Sequence, residues 1–352
     1  MSQAQVETAV ACAAFLNRQD EADWSQAIAR LLPFIHEVDK AATQIWFKFY
    51  PLSLWRALEQ AEEPEKLARR LLLQGKYYLK DQIDTSHRFL YGHRFWPEVK
   101  RAVTEHAVSF EPEAKRDLAA EIREVAKRVA ADAKIEESLL IGITAVALMT
   151  LQQVGFDAFA NAPGRVQLEG SHARKSPEQV LKARARDDRQ GLFGFLKSVD
   201  QEWTVTFDET DENARYRMKN MTDLAYGAAE DQSRDWKALD PRCIEGPIPV
   251  ECRSAACGTC WVGVLGGAEK LSAVAPLERK SIRKFGYIVT DEPRPLIRLA
   301  CQSIAHGAVS IVIPPWNGVF GKYLQESVGE TDAARAAETH PSSDPEQNED
   351  RA

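Results

Sequence analysis

The sequence predicts an α+β fold in two parts, an all-α N-terminal domain followed by a domain built on a sheet. Two observations carry this. Apolar residues recur at helical spacing through about residue 163, with no strand alternation and no internal repeat. From Glu202 the pattern changes to short β-branched and aromatic runs bounded by turn residues. A length of 352 residues suits two domains, and 44% hydrophobic with 28% charged residues is a globular composition with enough apolar mass for real cores.

In the helical domain, residues 1–163, Leu118, Ile122, Val125 and Val129 recur at steps of four, three and four. They share one helix face, and Pro112 opens that helix. Pro64 opens another through Leu67, Leu71 and Leu72, which Gly75 ends or weakens. The most apolar stretch, Ser138 to Leu151, has 14 residues. That is short of the roughly 20 needed to span a bilayer and predicts a buried core helix. The N-terminus lacks the basic region and long apolar core of a signal peptide. A cytoplasmic chain with no membrane span is therefore expected. Four histidines, His36, His87, His93 and His106, fall in this half. His87 and His93 are six apart, on poorly matched helix faces, and there is no C-x-x-C-H or H-E-x-x-H. They are expected to be structural, with a haem or metal site as the lesser reading. The aromatic residues between Trp46 and Trp96 are expected in the core, with a docking face that includes some of them as the lesser reading.

Residues 164–200 form a basic connector, with Arg174, Lys175, Lys182, Arg184, Arg186 and Arg189. Ser176-Pro177-Glu178-Gln179 predicts the start of a short exposed helix, with Ser as N-cap, Pro at the first position and Gln at the third. Residues 201–324 make the second domain. Strands are expected at Trp203–Phe207 and Ala214–Lys219 around a turn, then at Trp261–Leu265, Leu296–Leu299 and Ala308–Ile313. Thr222 is the expected cap of a short helix holding Leu224 and Tyr226. Residues 325–352 hold eight acidic and two basic residues, so this segment carries −6 of the net charge of −7. It has few apolar residues and reads as a disordered acidic tail. The body is nearly neutral, which argues against a nucleic-acid partner held by overall charge.

Six cysteines are too sparse for a disulfide scaffold in a chain this long. Four of them are spaced for another purpose. Cys252, Cys257 and Cys260 form C-x4-C-x2-C, and Cys301 follows after 40 intervening residues. This is the plant-type [2Fe–2S] pattern. Two bridged irons need four thiolates; a tight loop wraps three around the cluster and a distant strand end supplies the fourth. Ser254, Ala255, Ala256, Gly258 and Thr259 are small enough for the loop to turn its N–H groups inward. Structural zinc is the weaker reading, since it is usually held by two C-x2-C-like pairs or by Cys/His pairs. Cys243 and Cys12 are expected to be small buried side chains, with Cys243 as a spare ligand the alternative.

The stretch Cys252-Arg253-Ser-Ala-Ala-Cys257-Gly258-Thr-Cys260, with Arg298-Leu-Ala-Cys301-Gln302, resembles the plant-type ferredoxin family. The resemblance covers about residues 201–320. It implies a β-grasp fold, a [2Fe–2S] cluster on Cys252, Cys257, Cys260 and Cys301, and a low potential, on the order of −400 mV. Ala255 departs from the family's usual glycine, and a positive φ there would cost roughly 1 kcal/mol. The longer gap before Cys301 fits a hairpin and a helix around residues 276–286. Carriers of this family often meet partners through an acidic face near the cluster. Here the corresponding helix carries Arg279, Lys280, Arg283 and Lys284 on one face, against the single acid Glu278. It is either a merely solvated face or a basic docking patch for an acidic partner.

There is no G-x-G-x-x-G after a strand and no Walker loop, so the chain lacks the fingerprint of a self-contained nicotinamide-dependent reductase. The expected function is electron carriage, not enzyme catalysis, with an oxidoreductase as redox partner. The helical domain is expected to fix that partner or to drive oligomer formation. A permanently bound subunit of a larger oxidoreductase and a redox-sensing or protective protein are the alternatives.

Overall fold

The computed structural model describes residues 3–111, 117–166, 168, 170–185, 201–285 and 293–320. Pro112, the connector residues Arg186 and Arg189, and the acidic tail all lie outside the described residues.

The first half is helical. Ser138–Val154 is its axis, and every residue from Leu139 to Gln153 is buried. A helix apolar on all sides needs neighbours on all sides. Gln3–Asn17, Glu37–Phe49, Trp96–Val108 and Leu118–Ala133 supply them. No described helix is long and apolar enough to cross a membrane. Leu118–Ala133 buries Leu118, Ile122, Val125 and Val129, as the spacing predicts. Its cap is Asp117, whose carboxylate accepts from the Ala120 N–H at 3.1 Å.

The helix opened by Pro64 is shorter than its sequence suggests. Pro64–Arg70 stops because Leu72 takes the left-handed conformation, φ +52°. The chain then enters a short strand, β1, at Gln74–Gly75. Gly75 therefore does not end a helix. It has φ +83°, and a Cβ there would lie 2.4 Å from the Pro315 carbonyl oxygen.

The four histidines have structural surroundings. His36 Nδ1 accepts from the Val38 N–H at 3.2 Å as a helix cap. His106 Nε2 lies 3.0 Å from Glu121 Oε2. His87 and His93, which no helical spacing would pair, meet Nδ1 to Nδ1 at 2.9 Å because the chain around them forms turns and a 3-10 helix.

The second half is a five-stranded mixed sheet. Its strands are β2 Glu202–Thr206, β3 Arg215–Lys219, β4 Trp261–Gly266, β5 Ile297–Leu299 and β6 Val309–Val312. They lie in the order β3-β2-β6-β4-β5, with only β2 and β6 parallel. A mixed sheet with one parallel pair agrees with the expected α+β class and β-grasp fold. The short helix Leu224–Ala229 packs on β3. Its cap is Asp223, which accepts from the Tyr226 N–H at 2.8 Å. Thr222 was the expected cap, but its hydroxyl donates to the Lys219 carbonyl at 2.7 Å instead.

The two halves share one contiguous apolar cluster. A last strand, β7 Trp316–Asn317, pairs antiparallel with β1 of the helical half. Trp316 Nε1 donates to the Phe49 carbonyl at 2.6 Å, and Trp261 Nε1 donates to the Trp316 carbonyl at 2.9 Å. The Trp261 ring meets Phe49 and Trp316 at 5.1 and 5.2 Å between centroids.

The connector helix Pro177–Arg184 has the expected capping box at Ser176 and Gln179, but it is not simply exposed. Its Arg184 is buried. Nη1 donates to the Val38 carbonyl at 2.6 Å, and Nε and Nη2 both reach the Glu209 carboxylate at 2.8 Å. Glu209 also accepts from Ser310 at 2.6 Å. A basic residue read as connector surface thus ties the helical half to the sheet.

Trp316→Ala is expected to destabilise the whole chain by about 3–5 kcal/mol. Chemical denaturation followed by far-ultraviolet circular dichroism should report the loss.

Candidate metal centre

The loop from Cys252 to Cys260 turns sharply, with Arg253, Ala255 and Gly258 at positive φ (+52°, +58° and +75°). That winding points N–H groups inward. Those of Ala256 and Cys257 both lie 3.3 Å from Cys252 Sγ. Cys257 Sγ and Thr259 Oγ1 are 3.1 Å apart. Cys260 ends the loop, one residue before β4. Trp261 faces Leu299 across β4 and β5, and the Ala300 N–H donates to the Cys260 carbonyl at 2.8 Å. Cys301 follows directly, with Gln302 Nε2 at 3.5 Å from its sulfur.

The four thiols form two neighbouring pairs, Cys252 with Cys257 and Cys260 with Cys301. Burial pushes the Cys252 thiol up, but the Ser254 N–H, the Cys257 thiol, the Ser254 hydroxyl and the Ala256 N–H outweigh it and bring it to about 7. The Cys260 thiol is the main cause that brings Cys301 down to about 6, against burial and with help from Gln302 and the Ala255 N–H. Cys257 is raised, chiefly by burial; Cys260 is raised by its bond to Cys301 and then by burial. Thiolates are what iron binds, and the N–H groups turned toward Cys252 Sγ favour that charged form.

Among the described residues, no three Cys, His, Asp or Glu side chains converge on one point where a single ion would sit. Two pairs of thiols would suit a two-iron centre rather than a single ion. A zinc ion would need four ligands on one point.

Residues 237–306 match the family model of the 2Fe-2S iron-sulfur cluster binding domain. This domain binds a [2Fe–2S] cluster. The match contains all four cysteines, begins after β3 and ends before β6, so β2, β3 and the central strand β6 are established by the sheet itself. The helical half matches no family model. Comparison with curated proteins and with solved structures gives no match.

The other two cysteines stand apart. Cys243 is buried, its thiol donates to the Pro247 carbonyl at 3.3 Å, and burial pushes it up to about 12. Cys12 is buried in the core.

The helix Pro276–Phe285 braces the loop. Its Phe285 ring packs against Gly258. Its Glu278 is fully buried and takes both Nε and Nη2 of Arg298, at 2.8 and 3.0 Å. Glu278 also accepts the Leu299 N–H at 2.9 Å, and Arg298 Nη1 donates to the Ser272 carbonyl at 2.8 Å. The single acid of this helix is therefore turned inward. Lys280, Arg283 and Lys284 are exposed, and Arg279 is half-buried. In the sequence Glu278 looks like one more surface charge and Phe285 carries no signal; Arg298, next to the strand end, is the hint, since a buried arginine demands a partner.

Ala255 and Gly258 differ in what their conformation costs. The Ala255 methyl is buried, worth roughly 0.8 kcal/mol, which offsets a left-handed strain of about 1 kcal/mol. A Cβ on Gly258 would lie 2.7 Å from two Phe285 ring atoms. Ala255→Gly should therefore change stability by less than about 1 kcal/mol. Gly258→Ala should cost about 2 kcal/mol or more and shorten cluster lifetime. Visible absorbance decay under mild denaturant checks both.

Proposed function

We propose that the chain is a one-electron carrier whose cluster is held by Cys252, Cys257, Cys260 and Cys301. The observation that carries this reading is an N–H-lined loop with three thiols, set by the pairing of β4 with β5 beside the fourth, inside the matched domain. When bound, a [2Fe–2S] cluster takes up or gives up one electron. The chain's own residues do the rest. The Ala256 and Cys257 N–H groups bond to ligand sulfur and stabilise negative charge there, which helps set the potential. The Phe285 brace and the Glu278–Arg298 pair hold the loop and strand end in one geometry.

The protein serves an oxidoreductase and is not itself the catalyst of a substrate reaction. The partner meets the face carrying Arg279, Lys280, Arg283 and Lys284, and its own contact surface is acidic. Withdrawal of Glu278 to Arg298 leaves that helix face without an offsetting acid of its own, which supports the reading. A cytoplasmic location fits six cysteines with no disulfide among them. The helical half extends the docking surface or joins copies of the chain.

Serine at any of the four ligand positions should bleach the visible absorption or sharply reduce iron content. Serine at Cys243 or Cys12 should leave both unchanged. Loss at Cys243 equal to that at Cys257 would refute the ligand set.

The charge of the docking face can be read with small oxidants. Stopped-flow oxidation of the reduced protein by anionic ferricyanide should be about 3- to 10-fold slower at low salt after Arg283→Glu with Lys284→Glu. Oxidation by cationic hexaamminecobalt(III) should be faster, and both effects should fade at high salt. Rates indifferent to the substitutions would leave only a solvated face.

A further inference from the structure

The sheet and the helical half do not close completely on each other. Between them lies a cleft of about 370 Å³, within the range of small-molecule sites, which favour such seams. Each side contributes aromatic walls. Phe49 and Phe89, 5.7 Å apart between ring centroids, come from the helical half. Phe207 and Trp236, 5.6 Å apart and edge to face, come from the other.

The charged side chains around the cleft are matched. Arg88 lies 3.6 Å from Asp208, Arg234 lies 3.2 Å from Asp211, and Arg242 lies 2.7 Å from Asp240. Glu209 is held by Arg184. A site with its charges already paired offers nothing to an ionic ligand and disfavours one on desolvation.

A second observation points to a ligand. Tyr50 lines the same cleft and is 3% exposed; Gln82 lies beside its hydroxyl oxygen, but its hydroxyl hydrogen meets no acceptor among the described residues. Gln82 also lines the cleft; one amide N–H donates to the Lys76 carbonyl at 2.7 Å and the other faces the Tyr50 oxygen, which leaves the hydroxyl hydrogen to be given away. Buried hydroxyls are ordinarily paired, and leaving one unpaired is costly.

We propose that this seam cleft binds a small, flat, uncharged ring compound bearing a carbonyl oxygen. The ring lies against the aromatic walls, and the carbonyl accepts from the Tyr50 hydroxyl. The site is separate from the four cysteines, yet Phe49 in its wall touches Trp261, the residue after Cys260.

The test is a ligand-observed NMR titration of the full chain with duroquinone, a tetramethyl ring with two carbonyls and no position open to thiol addition. Saturable binding is expected. Tyr50→Phe should weaken it about fivefold, the effect of one neutral hydrogen bond. Leu239→Arg, at an exposed lining position, should weaken it at least about tenfold by placing an unpaired charge at the cleft. Lys280→Glu, on the helix that braces the cluster loop, should leave it unchanged. Absence of saturation in the wild type, or equal affinity in the wild type, Tyr50→Phe and Leu239→Arg proteins, would overturn the proposal. The readout needs no electron transfer, so failure here leaves the carrier reading untouched, and loss of the cluster leaves this binding in place.

Discussion

Four thiols from two distant stretches of chain have to meet, and the register of β4 against β5 is what brings them together. Trp261 faces Leu299, and the Ala300 N–H bonds to the Cys260 carbonyl. A slip of one residue would turn every side chain of β5 to the other face and carry Cys301 away from Cys260. β5 is only three residues long, so its own ladder is a weak guarantee of register. The buried Glu278–Arg298 pair adds what the ladder lacks. Arg298 sits in the middle of β5, and its guanidinium fits only where Glu278 and the Ser272 carbonyl can both receive it.

Arg184 and Glu209 act in the same way between the two halves. Buried ion pairs add little net stability over apolar packing, but losing one partner strands a charge and typically costs 3–5 kcal/mol. Each pair therefore penalises the wrong arrangement more than it rewards the right one. Apolar contacts through Phe49, Trp261 and Trp316 supply the attraction, and the two pairs decide the alignment.

The metal centre was legible because its chemistry fixes spacing: a loop that wraps a cluster admits only short gaps between cysteines. The strands of the sheet were legible from their β-branched and aromatic runs, and the axial helix from its length without charge. What stayed hidden depended on partners far away in sequence. Nothing local at Arg184 announces Val38 and Glu209, and nothing at Gly75 announces Pro315. Leu72 ends its helix in a conformation that its residue type disfavours, so propensity pointed the wrong way. Thr222 and Asp223 are both good caps, and only the competing bond from Thr222 to Lys219 decides between them.

The bond from Trp316 to Phe49 spans 267 residues. During synthesis the helical half leaves the ribosome long before the strand that completes it. Until then the Phe49 carbonyl and the apolar face around it have no cover, and β1 is an open edge, a surface that invites association with other chains. Cys301 is made only shortly before Trp316. Completion of the thiol set and closure of the seam therefore fall close together in synthesis, and a chain cut short before residue 301 would be both unable to complete its thiol pairs and exposed along the apolar surface that Trp316 covers.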